Sequence, residues 1–196
     1  GTVAHLVEEW DAEVLGELDP EEYYDFQVNR PLLRRDEEGR PALVWPTPTL
    51  FVARPPGADR DVLLLRAHEP NFRWRGFCST VLGIASLAGV TDVITLGALL
   101  ADTPHTRPVP VSGSSNGISA RVAPGVEVSH YSGPVGITTA LVEEATNLGM
   151  SALSLWAAVP HYLAEPPCPK ATLALLGAVE DALSIPLPQG VLDELS

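Results

Sequence analysis

At 196 residues, with 45% hydrophobic and 19% charged side chains, the chain has the length and balance of a single folded domain with a full core. Its formal net charge of −13, from 25 acidic and 12 basic side chains, argues against nucleic acid as a main partner, because phosphate neutralisation needs clustered lysine and arginine. No apolar run reaches the roughly 18 residues of a membrane span, and the first residues lack the basic start and apolar centre of a signal peptide; a cytoplasmic protein is expected.

Residues 3–15 place Val3, Leu6, Val7, Trp10, Val14 and Leu15 at helical spacing, predicting an amphipathic helix closed by Asp19-Pro20. An α/β chain that opens on a helix raises the expectation of a first strand lying outside the sequence. Residues 23–28 and 42–45 read as short strands around a polar turn at 34–40, giving a β-hairpin excursion over about 23–46. Strands at 49–54 and 61–66 follow, separated by Pro55-Pro56-Gly57-Ala58-Asp59.

From there helix and strand alternate. Residues 72–87 predict a helix, and 90–100 a strand whose uncharged run from Val93 to Leu100 reads as buried on both faces. A strand at 126–131, a helix at 137–148 ended by Gly149, and a core strand at 151–159 complete the series. The alternation predicts a three-layer α/β/α sandwich around a mostly parallel sheet over residues 1–160. Beyond Pro160, a helix at 170–183 and a short piece at 191–195 predict a C-terminal helical appendage over 161–196, acting as a lid or docking arm. Cys78 and Cys168 belong to no C-x-x-C pair and are expected as reduced thiols.

Polar groups gather at four strand-to-helix joints, where open α/β sheets place their ligands. Around 66–75, Glu69 is placed to pair with Arg73 or to cap the next helix, while Arg stacking on Trp74 is the purely structural alternative. In Pro104-His105-Thr106-Arg107-Pro108, two prolines fix the backbone. Arg107 suits a carboxylate or phosphate and His105 acid–base work; an oligomer contact or a salt bridge explains the turn equally well. Gly133 and Gly136 allow close backbone approach at a helix N-terminus, where free N–H groups suit an anion, or else tight helix–sheet packing. His161 and Tyr162 end the last core strand, with His161 turned to the crevice of His105 if the strands are parallel, or serving as a tail-anchoring turn.

Gly113-Ser114-Ser115-Asn116-Gly117 matches G-x-S-x-G, but no helix follows the serine directly, so a nucleophile elbow is rejected. The histidines lack zinc-ligand spacing, and no metal or cofactor is expected.

Five blocks in order resemble the PAC2 family, in particular its actinobacterial branch: 23–31 (YYDFQVNRP), 69–74 (EPNFRW), 104–108 (PHTRP), 133–137 (GPVGI) and 156–162 (WAAVPHY). The resemblance implies a phosphorylase/hydrolase-like α/β/α core, a C-terminal helical part over a pocket, and a homotrimer aided by a β-hairpin. It also implies kinship with proteasome assembly chaperones, which bind proteasome α-subunits. The chain departs from the family pattern between Pro110 and Gly125, where it is short. Two readings stand: a homo-oligomeric binding or assembly protein with a protein partner, or an enzyme or small-ligand binder. The second would hold an anionic molecule among Glu69, Arg73, His105, Arg107 and His161.

Overall fold

The structure, a computed structural model, describes residues 1–104, 106–116, 127–128, 130–163, 168–190 and 192. It is a mixed α/β fold. Helix α1 (Thr2–Glu9) stops where Asp11 takes a positive φ of 47° and the Ala12 N–H reaches back to the Val7 carbonyl. The helix expected over 3–15 therefore covers only its first half. Val14 and Leu15 instead lie in strand β1 (Glu13–Glu17), which finds an antiparallel partner in β4 (Thr49–Ala53). Backbone pairing with a distant segment overrides the local 3.6-residue spacing there. β4 also pairs antiparallel with β5 (Val62–Arg66), giving the order β1-β4-β5.

Residues 23–28 are not a strand but a chain of turns after a 3-10 turn at Pro20–Glu22, which Asp19 caps at the Glu21 N–H. The hairpin exists with a later first arm: β2 (Leu32–Arg35) pairs with β3 (Pro41–Val44). Asp36 closes its tip by accepting from the Arg40 and Glu38 backbone N–H groups and from the Arg40 guanidinium. Those bonds, led by the Arg40 N–H, hold the Asp36 carboxyl below the usual carboxylate range.

The third sheet runs β6-β9-β7-β8, with β6 (Asp92–Ala101), β7 (Val111–Asn116), β8 (Glu127–Val128) and β9 (Ser151–Pro160). β6 and β9 are parallel from Asp92 opposite Ser151 to Ala101 opposite Pro160; β7 and β8 are parallel, and β7 and β9 antiparallel. The sheets are thus not mostly parallel: the other pairings, β1–β4, β2–β3 and β4–β5, are all antiparallel. Short turns join β2 to β3 and β4 to β5, and a short turn can return only an antiparallel neighbour. Ser115, the serine of the rejected motif, lies within β7 opposite Leu153. Of the strand expected at 126–131, Glu127–Val128 forms β8 and residues 126 and 129 lie outside the described residues, as does most of 191–195.

The strand buried on both faces is β9, not β6. Ala152 and Leu155 of β9, on opposite faces, are both 0% exposed, whereas Leu99 and Leu100 of β6, the outer strand, are 42% and 52% exposed. Two apolar clusters flank the strands. One joins Leu153, Leu155 and Phe51 to Leu6 of α1 and to Leu175, Leu176 and Val179 of α4 (Pro169–Leu183). The other joins Ala152 to Phe77 and Leu82 of α2 (Trp74–Leu87), to Leu141 and Ala145 of α3 (Ile137–Asn147), and to Tyr23 and Tyr24. Each fully buried leucine or phenylalanine contributes about 1.5–3 kcal/mol relative to exposure, so α4 is integral to the core. Beyond α4, the Pro188 carbonyl bonds His5 Nε2 of α1 at 2.9 Å. Both cysteines are free, and burial pushes the Cys78 thiol pKa up, with Glu144 adding to the effect. Among the described residues, no helix is long and apolar enough to cross a membrane.

Candidate functional site

Because β6 and β9 are parallel and level, their carboxyl ends emerge side by side and release Asp102 and His161 into one crevice. Asp102 Oδ1 and His161 Nε2 stand 3.6 Å apart at the surface. Around them an open cleft of about 290 Å³ is lined by Ala101, Asp102, Thr103, Pro104, His161 and Tyr162. The turn beyond Pro104 is closed by the Arg107 N–H donating to the Pro104 carbonyl, and Arg107 is exposed on it. His105, the acid–base candidate of that turn, lies outside the described residues. Chemically, an acid beside an imidazole can hold a ligand through a hydrogen bond or exchange a proton with it.

Two joints predicted separately come together. Glu69, in the loop after β5, neither pairs with Arg73 nor caps α2. Its Oε1 accepts from the Ile137 N–H of α3 at 2.7 Å. α3 has no side-chain cap of its own, so this carboxylate takes the position an anion would take at the helix's positive end. Gly136 permits that approach: a Cβ there would stand 2.9 Å from Glu69 Oε1. Gly133 plays a similar local part, since a Cβ would meet the Tyr131 hydroxyl at 2.5 Å, and that hydroxyl donates to the Pro134 carbonyl.

The rest of the 69–74 block fastens the chain to itself. Asn71 Oδ1 accepts from the Asp25 N–H and from Asn29 Nδ2, both at 2.8 Å, while the Asn71 and Phe72 N–H groups donate to the Tyr23 carbonyl. The Tyr24 hydroxyl donates to the His68 carbonyl at 3.0 Å. Burial pushes the Tyr24 phenol pKa up to about 12, with the His68 bond opposing the shift. Trp74 Nε1 donates to the Pro70 carbonyl at 2.6 Å, rather than the ring stacking under an arginine. Arg73 adopts a positive φ of 54° at the start of α2 and reaches Glu22 at 3.3 Å. Two motif blocks far apart in the chain, 23–31 and 69–74, therefore form one clasp at the root of the hairpin.

The structure thus pairs Glu69 with the start of α3, Arg73 with Glu22, and His161 with Asp102, and does not gather them around one enclosed pocket. Asp102 is the acid of the turn that the sequence places beyond β6, although it is not among the residues singled out for binding. Its meeting with His161 follows from the register of β6 against β9, and no local pattern encodes a register between distant strands.

A family model described as the PAC2 family matches residues 1–196. The chain is similar to a PAC2 family protein from Streptomyces avermitilis, at 50% identity and a TM-score of 0.89, covering 98% of this chain and 82% of that one. It is also similar to a proteasome-assembly chaperone homologue from Mycobacterium tuberculosis, at 47% identity and a TM-score of 0.89, covering 99% and 82% respectively. An archaeal proteasome activator from Pyrococcus furiosus shares the fold at 19% identity, with a TM-score of 0.75 over 99% of this chain and 82% of that chain. No curated protein matches.

Proposed function

The chain belongs to the PAC2 family, and from that premise we propose that it is a cytoplasmic, homo-oligomeric binding or assembly protein, a trimer acting as a chaperone of proteasome assembly. The observation that carries this reading is the hairpin. Leu32, Leu33, Leu43, Val44 and the following Trp45 are 46–71% exposed. An isolated two-stranded ribbon is marginal in water, so one this apolar is suited to being covered by another chain. The resemblance to the M. tuberculosis proteasome-assembly chaperone homologue supports a partner in proteasome assembly, and the kinship with assembly chaperones noted from the sequence implies a proteasome α-subunit. The helical clusters on opposite sides of the strands support reading the fold as an α/β/α sandwich of the phosphorylase/hydrolase-like kind.

The experiment is light scattering on the purified protein and on Leu33→Glu/Leu43→Glu, whose two positions face each other across the ladder. A trimer that falls to monomer in the variant supports the assembly surface, as does a complex of the parent protein with purified proteasome α-subunits in native mass spectrometry. A monomeric parent that forms no such complex refutes the reading.

A second reading rests on the cleft at Asp102 and His161, which lies where α/β sheets hold small ligands. It predicts a concentration-dependent rise in melting temperature with phosphate, nucleotides or small carboxylates that is lost in His161→Ala. The openness of the cleft and the pairing-off of Glu69 and Arg73 favour the assembly role.

A further inference from the structure

Charge is spread unevenly along the chain. Residues 1–29 hold nine of the 25 acidic side chains and neither a lysine nor an arginine. Residues 30–45, the hairpin and its root, hold four arginines against three acids, a net charge of +1 in a chain of net charge −13. Strand β1 lies in the acidic stretch and the hairpin in the basic one, and both leave apolar side chains in water.

β1 is the outer strand of the order β1-β4-β5. Its register against β4 slips between Val14 and Gly16, which leaves Leu15 as a bulge residue with no partner in β4. A bulge bends the strand and disrupts its ladder. Two consecutive apolar residues are exposed there together, Val14 at 60% and Leu15 at 49%, and neither joins the apolar clusters of the core. Glu13 and Glu17 bracket them, and neither carboxylate has an ion-pair partner among the described residues.

On the hairpin, Leu33 and Leu43 lie opposite one another and share a face with Arg35, two positions further along β2. Arg35 gives one N–H to the Gly39 carbonyl and meets no carboxylate among the described residues, whereas Arg40 is taken up by Asp36 and Glu38. The two surfaces are therefore alike in apolar content and opposite in charge. Within one molecule they stay apart, since β1 pairs with β4 and the hairpin forms a sheet of its own.

We propose that the hairpin of one copy seats Leu33, Leu43 and Arg35 on Val14, Leu15 and the Glu13 and Glu17 carboxylates of β1 in a second copy, head to tail. The inference rests on the assembly reading above and names the surface that receives the hairpin. Apolar burial supplies the affinity, and the charges set the direction of approach. Hairpin against hairpin, or β1 against β1, would bring like charges together, which selects the head-to-tail contact. Such a contact uses one hairpin and one β1 from every copy, so a ring leaves none of these surfaces in water.

The test is a mixing experiment read by native mass spectrometry and light scattering at high protein concentration. Leu33→Glu/Leu43→Glu disables the hairpin and Val14→Glu/Leu15→Glu disables β1; all four positions are exposed and outside the core clusters, and circular dichroism checks that both proteins fold. Each variant alone is monomeric, while an equimolar mixture forms a heterodimer, because one intact hairpin then meets one intact β1. A β1 variant that assembles like the parent overturns the proposal, as do two monomeric variants that form no heterodimer. Should the β1 variant fail to fold, Arg35→Glu carries the test: its dissociation constant rises about tenfold and falls back towards the parent value in Arg35→Glu/Glu13→Arg/Glu17→Arg. Absence of that recovery also overturns the proposal. A monomeric parent removes the assembly reading and this inference together, whereas an oligomeric parent with an unresponsive β1 removes the inference alone.

Discussion

Glu69 and Gly136 form a pair whose energetics can be worked from geometry. The Glu69 carboxylate accepts one charge-assisted hydrogen bond from the Ile137 N–H at 2.7 Å, a contact class worth about 1.5–3 kcal/mol. It also places a negative charge at the start of α3, worth about 0.3–1 kcal/mol. Glu69 is itself exposed, so the lower end applies, and Glu69→Ala is expected to cost about 2 kcal/mol. For a chain of this size that lowers the melting temperature by about 4–8 °C. Gly136→Ala breaks the same bond from the other side, because the new Cβ would sit 2.9 Å from Oε1, and costs about 1–2 kcal/mol.

In the double variant the second substitution has nothing left to break. Its cost there falls to the poorer N-cap preference of alanine, about 0.5 kcal/mol. The assay is urea unfolding of the four proteins in a double-mutant cycle, with a coupling energy of about 1 kcal/mol expected. Glu69→Gln, which keeps an acceptor but not the charge, falls between parent and Glu69→Ala. Additive costs, or a neutral Glu69→Ala, would refute the reasoning.

Three further outcomes follow from contacts already described. Asn71→Ala removes the acceptor that binds both the Asp25 N–H and Asn29 Nδ2; a loss of about 1–2 kcal/mol in urea unfolding is expected, with faster amide exchange over 25–29, and unchanged exchange there would show the clasp to be incidental. Gly97 faces Trp156 across β6 and β9, and a Cβ at 97 would meet the indole at 2.5 Å. Gly97→Ala must therefore move a ring tied to Ser154 Oγ, at about 1–3 kcal/mol, read as a lower urea midpoint and a shifted tryptophan emission. Tyr24 has a folded pKa of about 12 against an ordinary 10.0. The fold favours the neutral phenol, so its contribution is whole below pH 10 and drains as pH rises from there to about 12, amounting to about 2–3 kcal/mol. Tyr24→Phe should flatten stability over that window; an unchanged alkaline slope would contradict the shift.

What could be read from the sequence divides along physical lines. The helices at α2, α3 and α4, and the strands β4, β5, β6 and β9, were legible because each carries its own periodicity and its own stop signal, such as Gly149 after α3. β1 was not, since Val14 and Leu15 also fit the helical spacing of Val3, Leu6 and Val7 and only pairing with Phe51 decides the matter. The segment 23–28 has strand composition, but Tyr23 and Tyr24 spend their aromatic rings on α2 and the core rather than on a ladder. The site shows the same division. A crevice at the ends of β6 and β9 was foreseeable, while the meeting of Glu69 with α3, across 68 residues, was not.

The bond between His5 and the Pro188 carbonyl spans 183 positions, and it bears on how the molecule comes into being. α1 is synthesised well before α4, yet the face against which Leu6 rests is built partly from α4, Ile185 and Leu187. At roughly 5–20 residues per second, a ribosome needs on the order of ten seconds or more to deliver them. For that interval α1 and its neighbour β5 have an unfinished floor, and their apolar surface must be shielded or tolerated. The fold is thus closed by a part made long after α1, so any truncation that removes α4 strands α1 rather than merely trimming a tail.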